Sequence, residues 1–137
     1  MDYRIDLDPT HRVLRVTVGR VLTDELAREV RQTMVRLASR GGPYAVITDL
    51  SEVEDDRLTP EVAAELAAAG SPIPDGRLWV LVGKQPVTHR FGRMFELTRN
   101  WIRENFELVE SVDEAYRMLD VRPEDFTQRL FPESLAA

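Results

Sequence analysis

Apolar and polar positions change period several times along this chain, and each change marks an element. Tyr3, Ile5 and Leu7 alternate with polar residues, Asp8-Pro9-Thr10-His11 supplies turn chemistry, and the alternation resumes at Leu14, Val16 and Val18. This pattern predicts an opening β-hairpin. From Thr23, a capping residue followed by Asp24 and Glu25, the period lengthens, and Leu26, Val30, Met34 and Leu37 recur every three or four positions until Arg40-Gly41-Gly42. That is a helix with one buried face and with Arg28, Arg31, Gln32 and Arg36 on the other. Tyr44 to Leu50 alternates too little for a half-exposed strand and predicts one covered on both faces, as parallel strands are.

An acidic loop follows, and then Thr59-Pro60-Glu61. Thr caps, Pro is preorganised for the first helical position and Glu suits the positive helix end, so a second helix runs through VAAELAAA to Gly70. Ser71 to Gly76 is a connector and Leu78 to Val82 a buried strand closed by Gly83. A third helix is expected from near Pro86, with Val87, Phe91, Met94, Phe95, Thr98, Trp101 and Ile102 inside an arc of about 120°. Phe106 to Val109 is a short strand, and Ser111-Val112-Asp113-Glu114 is a capping box ahead of Ala115, Met118 and Leu119. The order ββαβαβαβα implies an α/β fold whose mainly parallel five-stranded sheet carries an antiparallel edge hairpin. It fills residues 1–121. In the extension, residues 122–137, Pro123 opens a helix on which Phe126, Leu130 and Phe131 share a stripe. That stripe should dock on its own domain, with Leu97 and Trp101 as receptor, or on a second copy in a homodimer.

At 137 residues the chain fits one domain. There is no cysteine, hence no disulfide and no thiolate ligand. The N-terminus lacks the apolar core of a signal peptide and no apolar run approaches a membrane span, which makes the protein cytoplasmic on this reading. Only Lys84 is a lysine among 18 basic residues, a usage that suggests a GC-rich genome. The net charge of −6 sits in residues 49–65, where seven carboxylates face Arg57 alone. Residues 84–103 lean the other way, with Lys84, Arg90, Arg93, Arg99 and Arg103 against Glu96. A pI near 5.0 without a basic tail argues against nucleic acid as partner.

Little in the chain carries reaction chemistry. Counting an EF-hand from Asp49 puts Val53 at position 5, Glu54 at the turn glycine and Pro60 at the bidentate Glu, which excludes it. Asp49 and Asp55 lie just beyond a buried strand, where α/β ligands bind, but a solvated loop accounts for Asp49, Glu52, Glu54, Asp55 and Asp56 more simply than a magnesium site. Gly83-Lys84-Gln85 lacks the rest of a phosphate loop, and neither G-x-G-x-x-G nor G-x-S-x-G occurs. His11 in a turn and His89 on a polar helix face have no partner at recognisable spacing, so both are expected at the surface. No enzyme activity, cofactor or metal is expected. The rings of Phe91, Phe95 and Trp101 line either a core or an apolar ligand cavity.

With the elements placed, VITDLSEVE, the helix after TPE, LWVLVG and the closing FELVESVDEAYRML together resemble the SpoIIAA-like proteins, relatives of the anti-sigma-factor antagonist (STAS) domains. The resemblance covers roughly residues 3–121 and rests most on DLSEV at 49–53 and ESVDEAYRML at 110–119. It implies a βαβα fold related to the Sec14-type lipid-binding fold, regulation through protein–protein contacts or small-ligand binding, and no enzymatic reaction. In such antagonists the D-L-S-x-V strand end leads to a D-S-S or D-S-T element whose serine is phosphorylated. Here Arg57 stands at that aspartate and Leu58 at that serine, and Thr59 comes one position late. The resemblance thus implies a non-enzymatic regulatory or protein-binding domain whose loop, with Asp49, Ser51, Asp55, Asp56 and Thr59, is an interaction surface or a vestigial switch. The alternative is a small apolar molecule or lipid held in a Sec14-like cavity.

Overall fold

A computed structural model describes residues 2–73, 77–84 and 105–131. The opening hairpin forms as the alternation requires, with β1 (Tyr3–Asp8) antiparallel to β2 (Val13–Val18) in the register Ile5↔Val16 and Asp6↔Arg15. After β3 (Val21–Leu22), helix α1 (Asp24–Gly41) begins at Thr23, whose Oγ1 accepts from Leu26 N–H at 3.1 Å. A Cβ on Gly42 would lie 2.3 Å from Ala38 O, so the chain leaves α1 through a place that only glycine fits. Strand β4 (Ala45–Asp49), a two-residue β5 (Asp55–Asp56), helix α2 (Pro60–Ala69) and β6 (Trp79–Val82) follow. Gly70 closes α2 at φ 86°, in the region that favours glycine.

Strand β7 (Phe106–Val109) and helix α3 (Val112–Leu119) form where the sequence places them, with Ser111 Oγ accepting from Glu114 N–H at 3.3 Å. The sheet is larger and more mixed than the sequence pattern implies. It has six strands in the order β7-β6-β4-β2-β1-β8, four of them paired in parallel and β1 antiparallel to both its neighbours, and β3 with β5 forms a separate two-stranded parallel pair. The additional edge strand, β8 (Gln128–Leu130), corrects the expected C-terminal helix. Pro123–Asp125 makes one 3-10 turn, and the chain then extends along β1 in the antiparallel register Ile5↔Leu130, Asp6↔Arg129 and Leu7↔Gln128. An open edge on β1 offers backbone partners to every residue it pairs, and that outweighs a helical preference only a few residues long.

Alternation within each strand divides the core between the two faces of the sheet. Leu14, Val16, Val46, Trp79, Leu81 and Phe106 face α1 and α2, whereas Ala45, Ile47, Val80, Val82 and Val109 meet Ala115 and Tyr116 of α3. On this second face β1 and β2 instead carry Asp6, Asp8 and Arg15, beneath the C-terminal segment. The third helix expected from near Pro86 lies outside the described residues, and so do His89, Phe91, Phe95, Leu97 and Trp101.

Candidate functional site

The acidic loop leaves the sheet at the carboxyl end of β4, and its first residue departs from expectation. Asp49 is not solvated: it is 7 % exposed, and its Oδ1 accepts the Ser51 N–H at 2.9 Å. Leu50 N–H donates to Val82 O at 2.7 Å, and Val53 N–H turns back to Leu50 O at 3.1 Å. Beyond this turn Glu54 and Asp55 both donate N–H to Arg20 O, at 2.8 and 3.0 Å, while Arg57 N–H reaches Leu22 O at 2.8 Å. Asp56 Oδ1 accepts from Leu58 N–H at 3.0 Å, and Leu58 enters the core. Asp49 and Asp56 thereby accept from backbone amides two residues on, a structural use of aspartate in turns.

The carboxylates on the outside pair with arginines. Glu54 meets Arg20 at 2.8 Å, Asp55 meets Arg57 at 2.8 Å, and Glu52 lies 3.7 Å from Arg4, while Ser51 is exposed. Each of these surface pairs contributes at most about 1 kcal/mol. Asn at position 49 can still accept from Ser51 N–H, so Asp49→Asn should shift the melting temperature only slightly, whereas Asp49→Ala should cost about 1 kcal/mol in chemical denaturation.

Thr59 is the cap of α2 and more. Its Oγ1 accepts from Val62 N–H at 3.3 Å and donates to Asp24 Oδ2 at 3.0 Å, while its own N–H donates to Asp24 Oδ1 at 2.8 Å. Asp24 opens α1, so one carboxylate ties the heads of both helices together. A second tie joins their flanks, where Arg28 and Glu65 form two hydrogen bonds of 3.0 Å. The Arg28 hydrogen bond holds the Glu65 carboxyl below its ordinary range, and the same bond raises the Arg28 pKa. Arg31 donates to Gly70 O at 2.7 Å and Ala69 O at 3.2 Å at the end of α2, and desolvation lowers its pKa. Thr59→Ala should destabilise the protein by about 0.5–2 kcal/mol as measured by urea unfolding.

A phosphate on Thr59 would be set against Asp24, and its roughly −1.5 to −2 charge would break the tie rather than form one. Asp24 is legible in sequence only as a first-turn acid. Its contact with a residue 35 positions away has no local signature.

Between the sheet, α1 and α2 lies an apolar cavity of about 60 Å³, walled by Leu22, Val30, Met34, Leu66 and Trp79 among others. Its polar atoms are committed: Trp79 Nε1 donates to Thr48 Oγ1 at 3.0 Å, and Thr48 Oγ1 in turn lies 3.6 Å from Met34 Sδ. Sequence reasoning left Phe91, Phe95 and Trp101 as lining either a core or a cavity, and all three lie outside the described residues.

It also missed His11, which does have a partner. His11 Nδ1 lies 2.7 Å from Asp8 Oδ2, and Asp125 Oδ2 lies 4.0 Å from the same nitrogen. Spacing i, i+3 across the Asp8-Pro9-Thr10-His11 turn was the available signal. Among the described residues this is the one group of three His, Asp or Glu side chains whose ligand atoms converge, and Asp49 and Asp55 are not in it. Compared with family models, with curated proteins and with solved structures, the chain gives no match.

Proposed function

We propose that this is a non-enzymatic, SpoIIAA-like regulatory or protein-binding domain that meets its partner through the loop after β4 and the head of α2. The observation that carries this reading is how the loop spends its carboxylates. Asp49 and Asp56 accept from backbone amides, and Asp24 holds Thr59 by its hydroxyl and its N–H, leaving a preformed surface with Glu52, Glu54 and Glu61 exposed. A preorganised loop loses little entropy on association, which favours binding over chemistry as its role. The switch serine is replaced by Leu58, which is buried, so regulation by phosphorylation at this position is not part of the proposal. Among the described residues no helix is long and apolar enough to cross a membrane.

The apolar cavity favours a second reading, a small apolar ligand. At about 60 Å³ it is smaller than the ~150 Å³ of a core cavity that accommodates benzene, so it suits a small molecule better than a lipid chain. The test uses the triple variant Glu52→Gln, Glu54→Gln, Glu61→Gln, which strips exposed charge and leaves Asp24, Asp49 and Asp56 in place. The leading reading expects one protein recovered stoichiometrically on the wild-type chain and lost from the variant. Equal recovery on both removes the interface from this face. A copurified apolar compound in native mass spectrometry of the fresh protein supports the second reading.

A further inference from the structure

Two carboxylates and one imidazole, drawn from opposite ends of the chain, meet where the β1–β2 turn touches the C-terminal segment. Asp8 is fully buried, and its Oδ1 is anchored by the N–H groups of Thr10 at 3.0 Å and His11 at 3.1 Å. Asp125 is half-buried in the 3-10 turn, where its Oδ2 accepts from Arg122 N–H at 2.9 Å. His11 Nδ1 sits between them, 2.7 Å from Asp8 Oδ2 and 4.0 Å from Asp125 Oδ2, and one ligand atom of each residue lies within 4.8 Å of the others. The charges do not balance. Among the described residues neither carboxylate has an arginine or lysine within ion-pairing distance, and His11 is the ion-pair partner of both. A neutral imidazole leaves two carboxylates close together with no positive neighbour among the described residues, one of them, Asp8, fully buried, an arrangement that a bound cation stabilises.

We infer that Asp8, His11 and Asp125 form a binding site for a divalent transition-metal ion of the zinc class, which clips the C-terminal segment to the β1–β2 turn. One nitrogen and two carboxylate oxygens suit Zn²⁺, Co²⁺ or Ni²⁺ better than Ca²⁺ or Mg²⁺, which take more oxygens. Tetrahedral coordination with bonds of about 2.0–2.1 Å spaces ligand atoms by roughly 3.3 Å, between the shortest and the longest separations found here. Asp8 is held by the backbone, so the adjustment falls to His11 and Asp125, whose side chains reach solvent. Water completes the coordination on the exposed side of His11. The ion would act as a clip because its ligands lie 114 residues or more apart across the contact, Asp8 and His11 on one side and Asp125 on the other.

The test is titration of the untagged full-length chain with Zn²⁺ by calorimetry and with Co²⁺ by visible absorption. The site expects one ion per chain, the d–d bands of tetrahedral Co²⁺ and a melting temperature raised by Zn²⁺. Asp125→Asn, which leaves the turn intact, and His11→Gln should each weaken binding by about ten-fold or more. Circular dichroism of both variants separates lost binding from lost folding. Absence of binding to the wild-type chain, or binding that survives unchanged in a folded Asp125→Asn variant, overturns the assignment.

Discussion

Ending the chain after Val121 is expected to lower the melting temperature by on the order of 10 °C, with no change of oligomeric state. The segment lost is part of the sheet. Truncation removes the β8 ladder on β1, the contact of Leu130 with the core, and the ring of Phe126, which lies 5.9 Å from Tyr116 and 4.6 Å from the Arg15 guanidinium. It also removes the 2.7 Å hydrogen bond from Arg129 Nε to Asp6 Oδ1. Half-burial of two large apolar side chains contributes about 1 kcal/mol each, and a charge-assisted hydrogen bond a further ~1.5 kcal/mol, giving a loss of about 3 kcal/mol. The oligomeric state should not change, because Phe126 packs on Tyr116 and Leu130 on the core, which leaves Phe131, 49 % exposed, as the uncovered residue of the stripe. Light scattering and a thermal melt of both lengths check the two halves. An unchanged melting temperature would mean that β8 contributes nothing, and a fall in mass by about half would restore the dimer.

The tail shows where sequence reading stops. Phe126 and Leu130 are four residues apart, a spacing that suits one stripe of a helix and one face of a strand alike, and Pro123 opens a helical turn in either case. Only the free edge of β1, more than 120 positions away, decides between them. The same limit governs the polar contacts. Thr23, Thr59 and Ser111 were legible as caps because a cap and the N–H groups it satisfies are neighbours in sequence. Strands β4 and β6 were legible because both faces of each are covered and the residues say so. Asp24 on Thr59, Asp125 on His11 and Arg129 on Asp6 have no such signature, since charged residues at a turn or strand end look the same whether solvated or clamped. Asp49 was misread for that reason. The order of the acidic loop comes from β3, whose two residues were too few to register as a strand.

Asp6→Ala should be the most damaging substitution of a charged residue on the face opposite α1 and α2, costing about 2–3 kcal/mol. Asp6 is 5 % exposed, and Arg15 stands directly across from it in the β1–β2 register. Arg15 Nη2 donates to Asp6 Oδ2 at 3.2 Å, and its Nη1 donates to Tyr116 Oη at 2.8 Å. Desolvation alone would lower the Arg15 pKa, but the Tyr116 and Asp6 contacts outweigh it and raise the value. Arg15 Nε is already buried with no acceptor, so losing Asp6 strands a largely buried guanidinium with one neutral partner. Removing one partner of a buried pair costs ~3–5 kcal/mol, and the half-exposed Arg129 brings the expected loss to the lower end. Asp6→Asn keeps one acceptor and should lose about half as much. Arg4, 3.8 Å from Asp6 and open to solvent, is the control, and Arg4→Ala should change stability by less than about 0.5 kcal/mol. Urea unfolding of Asp6→Ala, Arg129→Ala and the double variant measures the coupling between the two: about 1 kcal/mol or more shows that the same carboxylate holds the hairpin and β8 together. A value near zero would leave β8 held by its backbone and apolar contacts alone.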